Sequence, residues 1–113
     1  MALTSFADVQ AFLNKLVPQV GPPHSAFWNG TYADFVNGNV PNVTDPSGNG
    51  NPIPILVSGF SGQSNIIFAL SGTPNTWWDP NAGIFNRMPY GGPYFSAAQI
   101  QELADWINAG CPQ

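Results

Sequence analysis

The residues able to do chemistry are few, and their spacing points to binding rather than to turnover. The chain holds one histidine and one cysteine, His24 and Cys111, so CxxC redox chemistry, a cysteine metal cluster and an internal disulfide are all excluded. Serine, histidine and aspartate occur, but no GxSxG nucleophile elbow does. Glu102 and Asp105 lie three apart on a helical stretch. That spacing sets them on one solvated face, which explains them better than paired-acid catalysis. Cys111 follows the same helix, where the dipole raises a thiol pKa, so it reads as an intermolecular oxidation hazard and not as a nucleophile. Asp45, Asn49 and Asn51 have the look of a calcium loop, without its acidic spacing or closing Glu. Turn chemistry accounts for them. Asn29-Gly30-Thr31 and Asn42-Val43-Thr44 match glycosylation sequons, which matter only in a secretory setting.

The denser signal is a run of rings. Trp77, Trp78, Phe85, Met88, Tyr90 and Tyr94 fall in one stretch from Thr73 to Tyr94, interleaved with Asn75, Asp79, Asn81, Asn86 and Arg87. Rings stack on apolar faces and amides bond hydroxyls, so this pattern suits a small polar ligand such as a carbohydrate, or a protein partner. Burial normally explains such rings, which would then fill the core of a small domain short of aliphatics.

Four helical stretches must position these residues. Ser5 to Val17 carries Phe6, Val9, Leu13 and Leu16 at helical spacing, with Phe12 beside them and Ser5 as cap. Pro18 ends it. Thr31 caps a short helix over Tyr32 to Asn37, with Asp34 in its first turn. Asn39 to Pro54 reads as loop, closed by an extended piece at Ile53 to Val57. A third helix is expected over Gln63 to Leu70, stopped by Gly72. The fourth has the clearest start: Ser96-Ala97-Ala98-Gln99 is a capping box, with Phe95 and Ile100 as a hydrophobic staple. Ile100, Leu103, Trp106 and Ile107 form its buried face. The first and fourth helices are the two long enough to pack a core against each other. The fold expected is a single all-α domain over residues 1–113, small and helical with long loops.

Composition narrows the partners. Of 113 residues, 7% are charged, with two Lys+Arg against six Asp+Glu and a formal net charge of −4. Phosphate-mediated binding of nucleic acid and attachment to anionic membranes both need a basic patch, which this chain lacks. No apolar run approaches the roughly 20 residues of a membrane span. The start, Met1-Ala2-Leu3-Thr4-Ser5, shows neither the basic nor the apolar region of a signal peptide. A soluble protein is expected, its compartment left open.

The second half resembles bacterial mono-haem cytochrome c domains. The resemblance rests on two ordered segments. Pro54-Ile-Leu-Val-Ser-Gly-Phe-Ser-Gly-Gln-Ser-Asn-Ile-Ile-Phe-Ala-Leu-Ser-Gly72 is similar to the family's extended piece and Ser-capped helix. Arg87-Met88-Pro89-Tyr90-Gly91-Gly92-Pro93-Tyr94-Phe95-Ser96, with the following helix and Cys111-Pro112, is similar to the loop that carries the axial methionine and to the closing helix. The family attaches haem through CxxCH, and no such motif is present. On this alignment Leu16, Gln19 and Val20 stand where the cysteines and histidine belong. The resemblance therefore implies a cytochrome c-like domain without covalent haem, whose haem volume is refilled or lined by Phe27, Trp28, Trp77, Trp78 and Phe85.

The reading that follows is a non-enzymatic binding or interaction module. Its candidate site is Trp28, Trp77, Trp78, Arg87, Met88, Tyr90 and Tyr94, with the loop from Asn75 to Tyr94 set opposite the Pro22 to Trp28 turn. The alternatives are an electron-transfer protein with non-covalent haem held by His24 and Met88, and an accessory domain of a neighbouring enzyme.

Overall fold

The computed structural model describes residues 3–17, 26–89 and 93–113. Helix α1 spans Phe6–Leu16 and α2 Tyr32–Val36. Strands β1, Asn39–Thr44, and β2, Pro52–Pro54, follow. Helix α3 is Asn65–Ser71 and α4 Ala97–Asn108. Single 3-10 turns at Phe27–Asn29 and Ser61–Gln63 precede α2 and α3.

The helix starts follow their caps. Ser5 Oγ accepts the Asp8 N–H and Thr31 Oγ1 accepts the Asp34 N–H, each at 3.1 Å. At α4 the capping box closes both ways: Gln99 N–H donates to Ser96 Oγ at 3.1 Å and Ser96 N–H donates to Gln99 Oε1 at 2.8 Å. Ser64, at the head of α3, is fully buried and satisfied. Its hydroxyl donates to the Phe60 carbonyl at 2.9 Å and accepts the Val57 N–H at 3.0 Å. Such pairing is what a buried hydroxyl requires.

The fold is mixed α/β, not the all-α domain expected from the sequence. The segment read as loop is an antiparallel pair in which Asn39 faces Pro54 and Thr44 faces Pro52, with a register shift between. Asp45 N–H to the Asn51 carbonyl, at 2.9 Å, closes the turn end, and Ile55 N–H to the Gly38 carbonyl, at 3.2 Å, extends the other. The physical reason is burial. Ile53 and Ile55 are completely enclosed while Pro52 and Pro54 face outward, a period of two that fixes register. A two-stranded sheet has only edge strands, and there Pro41, Pro52 and Pro54 are tolerated.

The core gathers Val9 and Leu13 of α1, Phe35 of α2, Ile66 and Leu70 of α3, and Leu103, Trp106 and Ile107 of α4. The two longest helices do not form its main contact. Helix α4 packs chiefly on α3 and the Ser61–Gln63 turn, and α1 on the Phe27–Asn29 turn. Rings bridge the rest: Phe12 meets Phe95 edge-on at 5.9 Å and Phe35 lies 6.2 Å from Trp106. The chain end is tied in by Trp106 Nε1–H to the Pro112 carbonyl at 3.0 Å, and by Tyr32 Oη–H to the Cys111 carbonyl. Among the described residues no helix is long and apolar enough to cross a membrane.

Candidate functional site

The aromatic stretch is a structured loop. Asp79 organises its first half, accepting the N–H groups of Asn75 at 3.0 Å and Asn81 at 2.9 Å. Those backbone donors, Asn75 first, hold its carboxyl below the usual range. Phe85 N–H donates to the Trp77 carbonyl at 2.8 Å and draws the loop closed. Three rings meet inside it. Trp78 lies 5.8 Å from Trp77 and 5.6 Å from Phe85, and Trp77 meets Phe85 edge-on at 6.3 Å. Trp78 is buried there, while Trp77 and Phe85 are half-buried. The loop thus builds a small apolar cluster of its own, outside the main core.

Arg87 and Met88 pin this loop to the end of α3. Arg87 Nε–H donates to the Leu70 carbonyl at 3.0 Å, and Met88 N–H donates to the Ala69 carbonyl at 2.8 Å. Both acceptors belong to the helix end, whose carbonyls lack intrahelical partners and whose dipole favours a cation. Gly72 makes the contact possible. It ends α3 in the left-handed region at φ 59°, and a Cβ there would stand 2.9 Å from Arg87 Cδ. The guanidinium then lies over the Tyr94 ring, 4.4 Å from its centre, a cation–π arrangement. Tyr94 is 49% exposed, and Ile84 of the same loop is 48% exposed.

The residues expected to form one site fall into two groups. Trp77, Trp78, Arg87 and Tyr94 belong to the loop. Trp28 belongs to the main core beside α1, with its Nε1–H donating to Asn14 Oδ1 at 2.8 Å and its ring 5.2 Å from Phe27. Met88 packs its side chain against that core. His24 and Tyr90 lie outside the described residues. The His24 and Met88 pairing, Gln19 and Val20 at the haem-attachment position, and the start of the Pro22 to Trp28 turn therefore fall outside what the structure describes.

Cys111 is enclosed, 1% exposed. Burial pushes its thiol pKa up, against smaller opposing contributions from the Ser58 side chain and the Gly59 backbone N–H. The oxidation hazard expected from the sequence is thus removed by packing. Asp45 accepts both the N–H and the hydroxyl of Ser47, the turn role expected of it. Among the described residues no three His, Cys, Asp or Glu side chains come together.

Comparison with protein families, curated proteins and solved structures gives no match.

Proposed function

We propose that this chain is a non-catalytic interaction module that engages a protein partner through the aromatic loop. Tyr94, Arg87 and Trp77 are the contact residues, joined by the exposed Ile84 of the same loop. The observation that carries the reading is the Arg87–Tyr94 pair: a half-exposed ring with a guanidinium 4.4 Å from its centre, on a loop anchored to α3. Trp, Tyr and Arg are the residue types that concentrate binding energy at protein interfaces. A loop already held by Asp79, Arg87 and Met88 loses little freedom on binding. The exposed aliphatic Ile84 favours a protein surface over a sugar, whose recognition rests on open rings flanked by amides. An enzyme to which the chain is accessory is one partner of this kind.

The test is co-purification from an extract of the source cells, comparing the unaltered chain with Tyr94→Ala and with Asn49→Ala in the turn between β1 and β2. A partner retained by the chain and by Asn49→Ala, but depleted about tenfold or more by Tyr94→Ala, is the expected result for a hot-spot residue. Equal retention by a folded Tyr94→Ala overturns the reading. So does saturable binding to a polysaccharide without a protein partner, or a Soret band lost in Met88→Ala.

A further inference from the structure

The chain contains three Asn-Gly pairs, Asn29-Gly30, Asn37-Gly38 and Asn49-Gly50. Asparagine is a labile residue, and it is most so before glycine, where no Cβ keeps the following backbone nitrogen from the side-chain carbonyl carbon. All three asparagines are exposed, so access to water does not separate them. Local geometry does.

Two of the pairs are held. The Asn29 side chain is locked in a reciprocal amide pair: Asn29 Nδ2 donates to Asn14 Oδ1 and Asn14 Nδ2 donates to Asn29 Oδ1, each at 2.9 Å. Asn37 ends α2 at φ −110° and ψ −2°, with its N–H on the Ala33 carbonyl at 2.9 Å. Gly38 is pressed against that helix, since a Cβ there would lie 2.0 Å from the Asp34 carbonyl oxygen. The Gly38 carbonyl in turn accepts the Ile55 N–H at 3.2 Å. Ring closure must turn the peptide plane between asparagine and glycine, and at Asn37 both sides of that plane are tied.

Asn49-Gly50 lies in the exposed turn between β1 and β2, the kind of polar loop tip where chain chemistry concentrates. Its flanks are fixed. Asp45 accepts the Ser47 N–H at 3.1 Å, Ser47 Oγ accepts the Asn49 N–H at 3.2 Å, and Asp45 N–H reaches the Asn51 carbonyl at 2.9 Å. Among the described residues, neither the Asn49 side-chain amide nor the Gly50 N–H has a hydrogen-bond partner. Gly50 stands at φ 75°, and a Cβ there would meet nothing within 4 Å.

We propose that Asn49 is the site of spontaneous deamidation in the folded protein. The Gly50 nitrogen gives its proton to hydroxide and forms a bond to Asn49 Cγ. The Cγ–Nδ2 bond breaks, and the side-chain nitrogen takes up a proton and leaves as ammonia. Water then opens the succinimide at either carbonyl, giving an aspartyl or an isoaspartyl residue at position 49. The product adds one negative charge to a chain of formal net charge −4, in the turn that already holds Asp45. The isoaspartyl form also adds a main-chain methylene between Ser47 and Asn51.

The experiment follows the ¹⁵N-labelled chain in warm, mildly alkaline buffer, reading the side-chain amide signal of each asparagine and the backbone amides around it. The Asn49 signal decays first, about tenfold or more faster than those of Asn29 and Asn37, the scale of two net hydrogen bonds that each of those sites must give up. Fragmentation mass spectrometry places the amide-to-acid mass change and the isoaspartyl linkage at position 49. In urea, with the folded contacts gone, the three rates converge. Asn14→Ala, which removes the partner of Asn29, speeds loss at Asn29 and leaves Asn49 unchanged, and its spectrum reports whether the variant is folded. Equal decay of the three sites in the folded chain, or faster loss at Asn29 or Asn37, overturns the proposal. So does a preference for Asn49 that persists undiminished in urea, which assigns the selectivity to the sequence and not to the fold.

Discussion

Replacing Arg87 by Met tests whether the aromatic loop is held as a unit. The methionine keeps the methylenes that pack beside Gly72 and removes the guanidinium. Two interactions go. The bond from Nε–H to the Leu70 carbonyl, at 3.0 Å, is a charge-assisted contact of about 1.5 kcal/mol at the lower end of its range, since Arg87 is half-exposed. The contact with Tyr94, 4.4 Å from the ring centre, adds about 0.5–1 kcal/mol. The expected loss is about 2 kcal/mol. For a domain of this size that lowers the melting temperature by about 8 °C, at roughly 4 °C per kcal/mol. Urea denaturation followed by circular dichroism measures the total. Hydrogen exchange reads the location: the amides of Met88 and Phe85, bonded to Ala69 and Trp77, lose protection while those of α4 keep theirs. A double-mutant cycle with Tyr94→Leu isolates the ring contact, expected to couple by about 0.5–1 kcal/mol. An unchanged Met88 amide together with a loss under about 0.5 kcal/mol, the scale of an ordinary surface substitution, refutes the argument.

The remaining expectations concern the frame around the loop. Ser96→Ala removes one half of a formed capping box and costs about 1 kcal/mol in denaturant unfolding; no change would place the start of α4 elsewhere. Trp106→Ala empties a site that is 1% exposed and costs about 3–5 kcal/mol, so a near-neutral result would move the ring to the surface. Cys111 reacts with a thiol reagent at the rate of unfolding, because its sulfur is enclosed and its pKa raised; rapid labelling of the native protein would contradict the packing. Asp8, Asp45 and Asp79 have carboxyl pKa values held below 3.8 by hydrogen bonds, Asp8 and Asp79 chiefly by backbone N–H groups and Asp45 chiefly by Ser47. A depressed carboxylate stabilises the fold above its unfolded pKa and loses that contribution as pH falls through the folded value. Thermal melts from these groups are therefore flat above about pH 5 and fall below 3.8. A melting temperature unchanged down to pH 2, about two units below that unfolded value, would contradict this.

Where structure is decided locally, the sequence is readable. Ser5, Thr31 and Ser96 each cap the helix their position announces, because a cap needs only an oxygen and an N–H three residues on. The alternation that defines the hairpin is short, one enclosed Ile53 between two prolines, and its partner strand begins at Asn39. Asn, Pro and Gly are poor strand formers, so local propensity votes for loop and only the pairing, which is non-local, overrules it. The same limit applies to the site. Trp77, Trp78 and Phe85 are visibly a cluster of rings, but whether they face a ligand or one another depends on how Phe85 N–H returns to Trp77. Trp28, grouped with them for its chemistry, is drawn instead to α1 by Asn14.

The scarcity of charge gains a meaning from these contacts. Three of the six acidic residues, Asp8, Asp45 and Asp79, bind backbone or hydroxyl donors within four positions in sequence, and Arg87 binds a helix carbonyl. These charges act as local clasps for turns and helix ends, where a charged partner strengthens a hydrogen bond and where solvent screening over a Debye length matters little.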